Sequence, residues 1–161
     1  MIKRLMERNI IIGADHAGFP LKEGLRVFLA EKGFDILDTG THSSDAVDYP
    51  DFACPVAENI SSGKVKKGIL VCGSGIGMSI AANRFHGVRG ALCLDEETAC
   101  LSRMHNDSNV LILAGRKTDL ETAKRIVAIW LETPFEGGRH EARLDKIRKI
   151  EEKILGAKVL N

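Results

Sequence analysis

Short apolar runs rich in β-branched residues alternate with amphipathic stretches along most of this chain. The runs are Asn9–Ala14, Phe34–Leu37, Gly68–Val71, Gly90–Leu94 and Val110–Leu113. Around them, Pro20–Lys32, Phe52–Ser61, Gly77–Arg84, Glu96–Met104 and Asp119–Glu132 carry apolar residues at helical spacing, each long enough for a crossover helix. Strands separated in this way by helices predict an α/β fold in three layers, a five-stranded parallel sheet covered on both faces. Pro20 suits a first helical turn, and Gly33 and Gly63 suit helix ends, where a residue without Cβ takes positive φ.

After Pro134 the pattern changes. A C-terminal arm, about 137–161, holds a polar helix near Arg139–Leu155 whose apolar stripe is only Leu144, Ile147, Ile150 and Ile154. A stripe that narrow needs a partner surface. Its own domain and a second subunit would serve equally.

Composition narrows the function without naming it. The 161 residues are the length of one domain, 1–161, able to bury a core without disulfides or structural metal. Apolar residues make up 44%, charged residues 28%, and the net charge is +1. That excludes the disorder signature and a bulk basic field for nucleic acid, so a small molecule is the expected partner. Met1 to Arg8 lack the apolar core of a secretory signal, and no apolar run approaches the roughly 18 residues a bilayer needs. A cytoplasmic protein with no membrane partner is expected. The cysteines at 54, 72, 93 and 100 form no Cys-x-x-Cys pair, which argues against a zinc site and points to reduced thiols. Cys54, Cys93 and Cys100 have apolar neighbours and read as core.

Ligands of open α/β sheets collect at the carboxyl ends of strands, so the residues after each strand carry most weight. The first strand ends in Asp15-His16-Ala17-Gly18, the third in Cys72-Gly73-Ser74-Gly75-Ile76-Gly77 and the fourth in Asp95, while His105 and Asn106 precede the fifth. The segment after the third strand speaks most clearly. Its alternating glycines let backbone approach a ligand, and the helix after it turns free N–H groups toward an anion. A cysteine at the start of that loop would have its thiolate stabilised and its pKa lowered by the same groups. The plainer reading is a small buried cysteine closing a strand.

Other candidates also have two readings. Gly73, Gly75 and Asp95 resemble a dinucleotide fingerprint, but the third glycine falls one position early at Gly77, and Met78 stands where close helix packing wants glycine. No Gly-Lys-Ser/Thr follows for a Walker loop. Asp15 can cap the following helix with His16 merely polar, and His105-Asn106-Asp107 can be a helix end. Arg139 and Arg143, four apart, can grip one phosphate or form a solvated face.

Five blocks taken together resemble the ribose-5-phosphate isomerase B family, which includes the galactose-6-phosphate isomerase subunits. They are Gly13-Ala-Asp-His-Ala-Gly18, Asp48-Tyr-Pro50, Cys72-Gly-Ser-Gly-Ile-Gly-Met-Ser79 with Ala81-Ala-Asn83, Arg103-Met-His-Asn-Asp107 with Asn109-Val110, and Gly137-Gly-Arg-His140. The resemblance implies a Rossmann-like sheet, a homodimer with shared active sites, and cofactor-free isomerisation of ribose 5-phosphate and ribulose 5-phosphate in the pentose phosphate pathway. It implies that Cys72 moves a proton between C2 and C1, while Ser74 and the backbone from Gly73 through Gly75 to Gly77 cradle the enediolate oxygen. His105 would open the furanose ring, Asp15 and Tyr49 handle sugar hydroxyls, and Asn106 position the oxyanion. His16, Arg116, Arg139 and Arg143 match the phosphate grip. The family often has Thr where Ser74 stands, which keeps the hydroxyl. Some members use a carboxylate base instead of the cysteine, but no acid lies between Cys72 and Asn83. A hexose 6-phosphate such as allose or galactose 6-phosphate remains an alternative substrate, and a non-catalytic sugar-phosphate or nucleotide module an alternative of another class. Whether dimers pair into tetramers is open.

Overall fold

The computed structural model describes residues 8–158. Its strands are β1 (Asn9–Ala14), β2 (Asp35–Asp38), β3 (Lys67–Cys72), β4 (Gly90–Leu92) and β5 (Val110–Ala114). Its helices are α1 (Phe19–Glu31), α2 (Tyr49–Ser61), α3 (Ile76–Ala82), α4 (Glu96–Asn106), α5 (Leu120–Glu132) and α6 (Arg139–Lys158). The strands form one parallel sheet in the order β2-β1-β3-β5-β4. The chain therefore steps from β1 to the edge at β2, crosses back over β1 to β3, runs to the far edge at β4 and returns to β5 between β3 and β4.

Alternate side chains of each strand supply two cores. Ile10, Ile12, Ile69, Val71, Leu111 and Leu113 face α1, α4 and α5, where Leu25, Ala99, Ile126 and Trp130 close over them. Ile11, Leu70, Val110 and Ile112 face the opposite way, toward Ala53, Val56 and Ala57 of α2 and Met78 and Ala82 of α3. This double burial is why the strands read as continuous apolar runs. Gly33 and Gly63 take φ of 78° and 73° just after α1 and α2.

Several boundaries differ from the sequence pattern. Helix α2 begins three residues before Phe52, because Pro50 occupies its first turn, where its missing N–H is not needed. Strand β4 stops at Leu92, since Cys93 turns toward Asp95, which caps α4 through the Thr98 N–H at 2.7 Å. Of the three cysteines read as core, only Cys93 is buried. Burial pushes its thiol pKa up. Cys54 and Cys100 are half-exposed on helix surfaces.

The arm's stripe splits. Leu144 is buried on its own chain, whereas Ile147, Ile150, Ile154 and the adjacent Leu155 are exposed. Glu151 ties the middle of α6 to the chain through the Gly87 N–H at 3.0 Å and His86 at 3.2 Å. Residues 159–161 of the predicted arm lie outside the described residues.

One buried charge helps position the loops above the sheet. The Lys22 ammonium, with no exposed side-chain surface, lies 2.6 Å from both Glu23 and Asp38. Burial opposes the Asp38 carboxylate, but its Lys22 contact and the Gly40 N–H hold its pKa below the ordinary value. Gly40 in turn accepts from Ala14 at 2.6 Å, just before Asp15. Without Lys22 the mostly buried Asp38 carboxylate keeps only the half-exposed Arg26 guanidinium, 3.4 Å away, as a cationic partner. Lys22→Met is expected to lose about 3–5 kcal/mol of unfolding free energy in urea, and Lys22→Met with Asp38→Leu to recover most of it. A single variant as stable as the parent would show that the pair carries no structural weight.

Candidate active site

At the carboxyl edge of the sheet, three loops meet because glycines let backbone touch backbone. A Cβ on Gly18 would lie 2.3 Å from the Val71 carbonyl oxygen, and one on Gly115 would lie 2.9 Å from that of Ala17. Gly115 donates to Cys72 O at 2.8 Å and Arg116 to Gly73 O at 3.1 Å. Gly73 lies against Ala17 and the Arg116 side chain, and Gly77 against the ring of Tyr49 at the start of α2. The loops after β1, β3 and β5, with Tyr49 at the start of α2, thus bring Asp15, His16, Tyr49, Cys72, the Gly73–Gly77 segment and Arg116 to one edge.

Within this half, Cys72 is 4% exposed and its Sγ accepts the Gly75 N–H at 3.2 Å. Gly75 has φ of 77°, the left-handed turn from which α3 starts. The Ser74 Oγ is exposed and accepts from the Ile76 N–H at 3.3 Å. Asp15 accepts from the Gly18 N–H at 2.9 Å, so it closes its own turn while its position faces the loop cluster. His16 Nδ1 lies 3.2 Å from both the N–H and the carbonyl oxygen of Val47, which orients the ring. Asp95, the acid of the dinucleotide alternative, is committed to Thr98 as a helix cap.

The remaining candidates stand elsewhere. Helix α4 runs back against the strands, so His105 and Asn106 at its end reach the amino edge, beside the start of β3, where Asn109 accepts from Gly68 at 2.9 Å. Five residues of strand rise, about 16 Å, separate Lys67 at that edge from Cys72 at the other. Grouping His105 and Asn106 with the carboxyl-end loops is therefore corrected: residues that precede a parallel strand belong to its amino end. Arg139 and Arg143 follow α5, which returns to the same amino edge, and both are exposed. A cavity of about 420 Å³ beneath α6 touches Asn106 but none of the carboxyl-edge candidates.

The amino-edge half is firmly built. Trp130 Nε1 donates to Ser108 Oγ at 2.7 Å, and Ser108 pairs with Ser102 of α4 at 2.8 Å. Asp107, at φ of 44°, is gripped by Arg89 and Arg103, each at 2.8 Å. His105 stacks on His140 with centroids 4.2 Å apart and rings 5° from parallel. The Glu136 carboxylate lies 3.9 Å from His105 and 3.5 Å from His140. These three residues bring potential metal-ligating atoms within 4.8 Å of one another. Parallel rings do not aim two lone pairs at a common point, and His140 Nε2 already accepts from Arg139 at 3.3 Å. The cluster is better suited to holding protons than a metal. Sequence reasoning assigned no role to Glu136 or His140; the Gly-Gly-Arg-His run contained the second, but its burial depends on how α6 docks.

A thiol seated beside fixed backbone donors on one edge of an α/β sheet, with paired histidines on the other, is an arrangement suited to proton transfer. Residues 10–147 match the family model described as Ribose/Galactose Isomerase. The chain is 47% identical to ribose-5-phosphate isomerase B of Escherichia coli strain K12 over 146 residues, covering 91% of this chain and 98% of that protein. It superposes on the Clostridium thermocellum ribose-5-phosphate isomerase B structure with a TM-score of 0.89 at 46% identity, covering 91% and 99% of the two chains. The Mycoplasma genitalium enzyme, solved with bound ribulose-5-phosphate, aligns with a TM-score of 0.87 at 42% identity, covering 89% and 96%. The chain belongs to the ribose/galactose isomerase family.

Gly75 offers a test of the loop. A side chain there would adopt left-handed backbone at about 1–2 kcal/mol, and its Cβ would stand 2.4 Å from Leu92 Cδ1. Gly75→Ala is expected to lower thermal stability by several degrees, whereas Ser74→Ala, at an exposed position, leaves it unchanged. Equal melting temperatures for the two would show that the loop does not need this conformation.

Proposed function

We propose that this chain interconverts ribose 5-phosphate and ribulose 5-phosphate through an enediolate, with Cys72 as the proton-transferring base. The observation that carries this reading is the Cys72 sulfur held by the Gly75 N–H at the head of the glycine loop, in a chain of this family. A hydrogen α to a carbonyl becomes removable when fixed donors meet the developing oxyanion in a water-poor site. Cys72 takes the proton from C2 of the open aldose and returns it to C1. Ser74 and the loop backbone through Gly73, Gly75 and Gly77 meet the enediolate oxygen, with Asn106 beside it. Asp15 and Tyr49 bind sugar hydroxyls. His105 opens the ring, and His16, Arg116, Arg139 and Arg143 hold the phosphate.

These roles lie on two sheet edges, so the reading requires two chains. We place the Cys72 half of one protomer against the His105 half of a second, in a twofold dimer that also covers Ile147, Ile150 and Ile154. Free cysteines and a phosphorylated metabolite as substrate suit the cytoplasm. Among the described residues no helix is long and apolar enough to cross a membrane. The chemistry as written requires neither nucleotide nor metal.

A coupled assay across pentose and hexose phosphates tests the substrate, and turnover of galactose 6-phosphate alone would favour the hexose reading. Cys72→Ala is expected to lower kcat for ribose 5-phosphate by about two to four powers of ten with little change in KM. Retention of more than about a tenth of kcat would remove Cys72 from the role.

Complementation tests the shared site. In a heterodimer of Cys72→Ala with Arg143→Ala, one site holds both lesions and the other is intact. Refolding the two variants together should return roughly a quarter of wild-type activity, since about half the dimers are mixed and each carries one good site. Mixed dimers confirmed by mass but without activity would mean that each pocket belongs to one chain.

A further inference from the structure

We infer that His140 is a positioning residue for ring opening: its buried imidazole forms the floor on which His105 is held flat. The inference deepens the reading in which His105 opens the furanose. His140 is 3% exposed in the first turn of α6. Its ring lies 4.2 Å from that of His105 and 5° from parallel, which restrains tilting of the His105 ring about its own side-chain bonds. Glu136 accompanies both rings, and the Glu136 N–H donates to Met104 O at 3.1 Å, so loop and helix end are fixed together.

Arg139 Nε–H donates to His140 Nε2 at 3.3 Å, the same nitrogen lies 3.5 Å from a Glu136 carboxylate oxygen, and the buried Nδ1 has no hydrogen-bond partner among the described residues. Its charged and titratable neighbours are His105 on α4, Glu136 in the preceding loop, and Arg139 and Arg143 on α6. Burial, then charge on His105, Arg139 and Arg143, push its pKa below the ordinary histidine value, against an opposing pull from Glu136. Two imidazolium rings stacked at this distance would repel each other. Ring opening needs one proton: the C1–O4 bond breaks, O4 gains a proton, and the anomeric hydroxyl loses one to give the aldehyde. A His105 ring held in one plane presents its N–H to O4 repeatedly without reorientation.

Ribulose 5-phosphate separates this step from the next, because its phosphorylated O5 cannot close a furanose. Exchange of its C1 hydrogen with solvent D2O reports the Cys72 step alone. His140→Ala is expected to lower kcat from ribose 5-phosphate by about tenfold or more, with KM shifted less, while C1 exchange stays near wild type. His140→Phe, which keeps a flat buried ring, should recover most of the loss and also serves if the Ala variant folds poorly. The inference is overturned if Ala impairs exchange and isomerisation alike, if Phe is no better than a well-folded Ala variant, or if Ala isomerises normally. His105→Asn is the control. If it shows the ring-opening defect and His140→Ala does not, only the role of His140 falls; if it isomerises normally, the ring-opening role of His105 falls as well.

Discussion

A parallel sheet forces every connecting helix to carry the chain back across it, and that single constraint fixes where each functional side chain stands. Residues just after a strand land at the carboxyl edge, and residues at the end of a helix land at the amino edge. Cys72, Asp15 and Arg116 stand at or just past strand ends; His105, Asn106 and the α6 arginines stand at or beyond helix ends. No adjustment of side chains bridges a sheet's width. The reaction proposed for the two sets together therefore makes association part of catalysis, and the exposed isoleucines of α6 offer apolar surface for it.

Each half is rigid for a different reason. At the carboxyl edge the backbone does the positioning. Gly18, Gly75 and Gly115 let three loops approach more closely than any Cβ allows, so the thiol, the loop donors and Arg116 are held by main-chain hydrogen bonds. At the amino edge side chains do it, through Trp130 and two serines under α4, two arginines on Asp107, and a stacked histidine pair beyond. Buried polar networks of this kind hold one arrangement because a partly satisfied alternative leaves polar groups without partners. Preorganisation matters most where charge develops during reaction, and both proposed chemical steps develop charge on an oxygen.

The strands and helices were legible because each is written in local periodicity. Ile10-Ile11-Ile12 announces a strand buried on both faces whatever lies around it, and the Cys72–Gly77 glycines announce a close backbone approach. The motif blocks carried the family. Boundaries were less legible where a cap decided them, as with Pro50 at α2 and Asp95 at α4. The amino-edge placement of His105 was within reach of the sequence, since a parallel sheet already implies it.

By itself, then, the sequence determined the class of fold and the loop that holds the thiol, because these depend on neighbours along the chain. Tertiary structure alone decided that Cys54 and Cys100 stay half-exposed and that Leu144 docks while Ile147, Ile150 and Ile154 do not. It also decided that His140 lies buried beneath His105. The docking of Leu144 and the burial of His140 depend on the angle at which α6 meets the end of α4. That angle is set by packing between segments far apart in sequence, and no local pattern encodes it.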